Sequence, residues 1–232
     1  SVLTPMSLIK NGIIQNKEER KNFRKAPLFT PAGQSTQLII GATHDSDKQI
    51  LSLASGLYNE NRLKRVYYSG YNPTNLYDSR LPAIQAPPLK RENRLYQADW
   101  LMRFYQFRVE EIVNENNPDL DLAIDPKLAY ALRNPHLFPI DVNRADHHML
   151  LRIPGVGPKS AKMILAARRF RRLTSEHLRK IGVVMKRAQF FITCNELPTG
   201  TIAEIKPERV RSLLTTDLRK KSLSNAVQLS LW

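Results

Sequence analysis

Leu150-Leu151-Arg152-Ile153-Pro154-Gly155-Val156-Gly157-Pro158-Lys159-Ser160-Ala161 reads as a tight reversal between two helices. Upstream, Asn143 is expected to cap the first helix, with Asp146 three residues on. Ala145, Met149, Leu150 and Ile153 then make one apolar face. Pro154-Gly155-Val156-Gly157 turns the chain, and Pro158 opens the second helix where its missing N–H costs nothing. Ala161, Ile164, Leu165 and Arg168 continue that helix. Two helices joined so closely must pack tightly, and Val156 can plug the space between them. Gly155 and Gly157 permit positive φ and place no Cβ between the turn and a ligand. The amides of Gly155, Gly157 and the first turn after Pro158 lack partners inside a helix and face out at the positive end of its dipole. That is a phosphate site in waiting. Lys159 adds a charge, Ser160 a donor, and Lys162, Arg168 and Arg169 more positive charge nearby. Such contacts fix position on a phosphate backbone and carry no base information. The reading requires the Gly155–Lys159 turn to be open to solvent.

A weaker copy of the same order of parts follows. Thr174 or Ser175 caps a helix, Leu178 and Ile181 match Leu150 and Ile153, Gly182 matches Gly155, and Lys186 matches Lys159. Val184 stands at the second glycine position, which puts close phosphate approach there in doubt. Gly182, Lys186 and Arg187 are the residues of this copy expected to reach the ligand. The competing reading is a plain helical hairpin whose glycines serve packing alone; it does not explain the adjacent Lys159, Lys162, Arg168 and Arg169. The segment resembles the helix-hairpin-helix family, built on a Pro-Gly-hydrophobic-Gly turn between two short helices. The resemblance implies that paired units pack into a compact five-helix domain. It also implies that their two turns touch both strands across a minor groove.

The charge agrees. The 232 residues carry 36 Lys and Arg against 21 Asp and Glu, a net of +15. Half of the basic residues, 18, but only 7 of the acidic ones lie from Asp141 onward. An excess placed this way points to a polyanionic partner and puts the electrostatic footprint in the C-terminal part. The single cysteine, Cys194, excludes an internal disulfide and a cysteine metal cluster, and fits a reducing cytoplasm. No apolar run approaches the roughly 18 residues of a membrane span, and no secretory signal is visible. The chain opens with Ser1 rather than Met, as a processed or truncated product would.

The N-terminal part is of another class. Residues 1–35 read as an irregular lead-in. Gln37–Ala42 is a short apolar run typical of a buried strand. Asp45 or Ser46 can cap the helix that follows, in which Ile50, Leu51, Leu53, Ala54 and Leu57 recur at helical spacing and Asn59–Arg62 close the run. Lys64–Gly70 reads as a second strand, so the two should run parallel as a βαβ unit. One such unit is not a stable sheet, and a partner chain or an upstream segment is expected to complete it. Residues 72–90 read as a Pro-rich loop. Arg91–Gln106 reads as a helix with Leu95, Ala98, Leu101, Met102 and Tyr105 as its stripe. Trp100 and Phe104 beside it are read as core packing rather than a base-stacking platform. Val109–Asn114 offers another helical turn. Asp125-Pro126 starts a helix ending near Asn134-Pro135. His147 and His148 point about 100° apart on a helix and cannot share a metal. His44 with Asp45 and Asp47 reads as a polar cap rather than a metal or base site, and Cys194 as a buried core thiol.

A wider resemblance rests on Pro31–Gln37, Gly41-Ala42-Thr43 with Asp45–Asp47, Leu63–Ser69 and Arg94–Trp100, together with the 150–161 turn. Over about residues 27–195 the chain is similar to the C-terminal half of a bacterial family of DNA modification or repair radical S-adenosylmethionine proteins. The resemblance implies a partial βα barrel ending in the βαβ unit. It also implies a [4Fe–4S] cluster and S-adenosylmethionine held by a Cys-x3-Cys-x2-Cys motif. This chain lacks that motif, so no cofactor is expected in it and no catalysis by it alone; the cluster-binding half lies upstream, on a partner chain, or was lost. The expected class is mixed α/β. A partial parallel βαβ unit, the end of an incomplete βα barrel, occupies 1–90 and a helical connector 91–140. A tandem helix-hairpin-helix domain occupies 141–195 and a basic extension 196–232. The expected partner is DNA, duplex rather than single-stranded, with Pro154, Gly155, Val156, Gly157, Lys159, Ser160, Lys162, Gly182, Lys186 and Arg187 as contacts. No membrane partner is expected, and the expected location is the cytoplasm.

Overall fold

A computed structural model describes residues 3–23, 25–73, 78, 81–82, 86–195, 201–202 and 204–215. The chain is mixed α/β and divides into two compact units: residues 1–99 with 113–120, and residues 100–112 with 121–232.

The first unit holds the expected βαβ motif. Strands β1 (Ser35–Ile40) and β2 (Arg65–Gly70) run parallel, in register from Ser35 opposite Arg65 to Ile40 opposite Gly70. β1 lies two residues earlier than its apolar run suggested, because Gly41 leaves the strand at φ 88°. The crossover helix, numbered α2 because another helix precedes β1, spans Asp47–Asn61. Of the two possible caps Ser46 is the one used, in a capping box with Gln49, and Arg62 closes the helix in the left-handed region. Ile50, Leu51, Ala54 and Leu57 form its buried stripe. The acidic cluster before it is structural: the buried Asp47 accepts from Arg91 Nε at 2.6 Å and from the Leu120 amide at 2.8 Å. Among the described residues no further strand joins β1 and β2.

The preceding helix, α1 (Leu3–Asn22), corrects the expected irregular lead-in. None of its residues is fully buried, and its half-buried side mixes Met6, Ile9 and Ile13 with Asn16 and Arg20. Polar contacts hold it instead: Lys10 Nζ donates to the Glu60 carbonyl at 3.0 Å, and the Gln34 amide group donates to both Met6 O and Asn61 O.

Helix α3 (Leu89–Tyr105) supplies residues to both units. In the first, Leu95 and Ala98 are buried, and the buried Asp99 carboxylate accepts from the Tyr58 and Tyr68 hydroxyls. In the second, Trp100 and Phe104 are exposed and stack on one another with ring centroids 4.6 Å apart. They were expected in the core; the buried stripe runs past them through Leu101. The loop expected over 72–90 falls partly outside the described residues.

The second unit continues with α4 (Val109–Ile112), α5 (Pro126–Arg133) and a 3-10 turn over Pro135–Leu137. Asp125 caps α5 and Pro126 opens it, as the sequence indicated. Two helical hairpins follow: α6 (His147–Arg152) with α7 (Pro158–Ala167), and α8 (Ser175–Ile181) with α9 (Met185–Ala188). Strands β3 (Ile140–Asp141) and β4 (Ile192–Thr193) enclose them as a parallel pair, with Ile140 opposite Ile192. The core between the hairpins is Leu150, Ile153, Val156, Ala161, Ile164, Leu173, Leu178, Ala188 and Phe191. Cys194 is half-buried rather than a core thiol. The expected basic extension over 196–232 is described only at 201–202 and at 204–215, where 207–215 is helical.

Candidate nucleic-acid interface

The first hairpin owes its form to residues on both sides of the turn. Asp146, not Asn143, caps α6, accepting the Met149 amide at 2.7 Å. Asn143 lies too early, since the amides of Arg144 and Ala145 already turn back onto the Asp141 carbonyl. Its side-chain amide clasps the second hairpin, donating to Leu173 O at 3.2 Å and accepting from Leu173 N at 2.7 Å. At the end of α6, Arg152 is fully buried. Its guanidinium meets Glu111 through Nε and Nη2, donates to the carbonyls of Tyr105 and Gln106, and lies 4.1 Å from the Phe107 ring centroid. A buried guanidinium is tolerable because its donors and its charge are matched.

The turn itself has an inner and an outer edge. Pro154 and Val156 are buried, and Val156 fills the expected space between the helices. Gly155 has φ 90°, which favours glycine, and its carbonyl accepts the Val184 amide at 2.9 Å. A Cβ on Gly155 would lie 2.6 Å from Val184 O and 3.3 Å from Ala188 N. This glycine is therefore required by the seam between the two turns. Gly157 differs from expectation: its φ is −95°, and a Cβ there would meet only the Tyr105 hydroxyl, at 3.7 Å. What Gly157 provides is open space. It caps α7 with no side chain, and Pro158 takes the first helical position. Val156 N donates to Ile153 O and Ala161 N to Gly157 O, whereas among the described residues no hydrogen bond is made by the amides of Gly157, Lys159 and Ser160. Lys159 and Lys162 are exposed on the same helix. Ser160 is buried, with its side chain turned toward the Ile181 carbonyl, 3.5 Å away.

The second turn repeats the first in outline. Thr174 caps α8 in a capping box with His177, and Gly182 takes φ 93° at its end. Gly182 and Lys186 are exposed. Arg187 is half-buried in an ion pair with Asp125, 2.7 Å from Oδ2, so its charge is committed within the unit. Arg168 is likewise turned inward onto the carbonyls of Val142 and Ala145.

Behind the first turn lies Lys127, which the sequence reading passed over. Its residue is only 7% exposed. Its Nζ donates to Val156 O at 2.6 Å and sits 4.6 Å from the centroid of the Tyr105 ring. Burial pulls the ammonium down to about 7; Asp125 opposes that shift, while Arg152 and Arg187 add to it. Burial, helped by Asp125, raises the Tyr105 phenol and keeps it neutral. No sequence signal marked Lys127, because a lysine just after an Asp-Pro helix start is ordinarily a solvated first-turn residue.

The described residues contain no cluster of His, Cys, Asp or Glu suited to a metal, and no helix among them is long and apolar enough to cross a membrane. A [4Fe–4S] cluster needs several thiolates, and this chain has one cysteine, so its residues do not fit that group. Comparison with models of protein families, with curated proteins and with solved structures finds no match.

Proposed function

We propose that residues 141–195 are a tandem helix-hairpin-helix domain that binds the sugar-phosphate backbone of DNA, duplex in preference to single-stranded, without reading its sequence. The reading is carried by one observation: among the described residues the amides of Gly157, Lys159 and Ser160 at the start of α7 make no hydrogen bond, and Lys159 and Lys162 beside them are exposed. An anionic oxygen placed there accepts from backbone donors at the positive end of a helix and meets an ammonium group. Gly157 leaves room for that approach. The strongly basic C-terminal part supplies the sequence-independent attraction. In this reading the chain is the DNA-binding half of a cytoplasmic DNA modification or repair protein. Any cluster chemistry belongs to an upstream segment or partner chain, which also completes the two-stranded sheet.

The test is fluorescence anisotropy with a labelled duplex of arbitrary sequence across a salt series. The parent should bind with affinity falling steeply in salt. Lys159→Glu should weaken binding about tenfold and flatten the log–log salt slope by roughly one to two units. Parent-like binding by Lys159→Glu would remove the proposal.

A further inference from the structure

The geometry points to Lys127 as a positioning residue for this interface: its buried ammonium holds the Val156 carbonyl inward, and so aims and strengthens the Gly157 amide as a donor to a phosphate oxygen. The inference rests on the reading of this turn as a phosphate-binding edge.

Val156 O and Gly157 N belong to one peptide unit. That peptide is trans; among the described residues the cis bond is Phe138–Pro139. In a planar trans peptide the C=O and N–H point in opposite directions. Tying the oxygen to Lys127 at 2.6 Å therefore turns the Gly157 N–H away from Lys127, and among the described residues that amide makes no hydrogen bond. A cation on the carbonyl also draws electron density through the peptide, and linked hydrogen bonds strengthen one another. Pro126 and the Asp125 cap fix the position of Lys127 at the start of α5, the Tyr105 face covers its ammonium, and Arg152 and Arg187 crowd it with like charge. Burying an ammonium is costly, and hydrophobic packing alone does not call for one here. What the buried group touches is the peptide whose other end faces the proposed ligand.

The arrangement makes the donor sensitive to protonation. Near neutrality the ammonium gains and loses its proton, since burial brings it to about 7. The groups facing it are Asp125, Tyr105, Arg152 and Arg187. Gly157 should be the stronger donor when Lys127 is charged, so backbone binding should tighten as pH falls through the neutral range.

The test uses the full chain. In 15N-labelled protein without DNA, the Gly157 amide signal should move downfield as pH falls, with a midpoint near 7, and Lys127→Met should abolish that step. In parallel, duplex affinity is measured for the parent, Lys127→Met and Lys159→Glu from roughly pH 6 to roughly pH 8.5. Lys127→Met should bind about fivefold more weakly at the acid end and nearly as the parent does at the alkaline end. A Gly157 signal that does not titrate, or a Lys127→Met chain that binds as the parent does at acid pH while Lys159→Glu is weakened, overturns the role of Lys127 and leaves the DNA reading standing. Parent-like binding by Lys159→Glu overturns both. Should Lys127→Met fail to fold, the titration of Gly157 in the parent decides.

Discussion

The two hairpins of the second unit begin alike and end differently. Gly155 and Gly182 adopt nearly the same left-handed conformation, at φ 90° and 93°. Beyond them the copies part. The first turn continues into Gly157 and a ten-residue helix with open amides at its start; the second continues into Val184 and a four-residue helix. Val184 gives its amide to Gly155 and packs its carbonyl under that glycine. The second turn thus acts as a brace for the first. Its side chains reach solvent at Val184 and Lys186, but its backbone is partly occupied by its neighbour. Equal order of residue types in a repeat therefore does not mean equal duty.

The contrast can be broken most forcefully at the ends of the leading helices, where Arg152 corresponds to Lys180. Arg152 is fully buried against Glu111, whereas Lys180 makes a surface pair with Glu176 at 2.8 Å. Arg152→Ala should cost about 3–5 kcal/mol by leaving Glu111 without its partner, and Lys180→Ala no more than about 0.5 kcal/mol. Chemical denaturation of both variants checks this; equal losses would erase the asymmetry.

The two glycines should also separate. Gly155→Ala combines a left-handed backbone with a clash against backbone atoms, for about 2–4 kcal/mol. Gly182→Ala meets nothing closer than Ser160 Oγ at 3.8 Å, so it should lose only about 1 kcal/mol, from the backbone conformation alone. A smaller effect is expected in binding. Lys186→Glu should weaken duplex binding roughly threefold, less than Lys159→Glu, if the second turn is mainly a brace; an equal or larger loss would make both turns phosphate sites.

A further contrast lies in stability against pH. Lys127 is brought down to about 7 in the fold from an ordinary 10.5. Between those values the unfolded chain binds more protons, so stability rises with pH across this window, and the cost of the buried charge is fullest below 7. The melting temperature should climb as pH rises from neutral, and Lys127→Met should flatten that climb.

How much of this was visible in the sequence follows from which interactions are local. Turns made by Pro and Gly, the Asp125 cap and most of the apolar stripe of α2 are local, and they are where the sequence placed them; the α2 cap was open between Asp45 and Ser46, and Leu53 of that stripe is exposed. α1 fully buries no residue, and its half-buried side mixes apolar with polar residues, which weakens the period. Trp100 and Phe104 have core-like chemistry but fall outside the buried stripe of α3. The Asn143 side chain found a partner thirty residues away instead of the nearby helix. Lys127 and Arg152 are buried by neighbours distant in sequence, and neither residue type announces burial. The outer edge of the site was therefore legible, and the inner support that shapes it was not.

The parallel pairing of β3 with β4 bears on how this region would answer a pull. The incoming chain enters at the start of β3 and the outgoing chain leaves at the end of β4, so tension between them loads the pair lengthwise. The bonds from Ile140 N to Phe191 O and from Val142 N to Thr193 O would have to yield together rather than unzip in turn. A clasp of two residues a side thus gives the hairpin segment a latch against stretching.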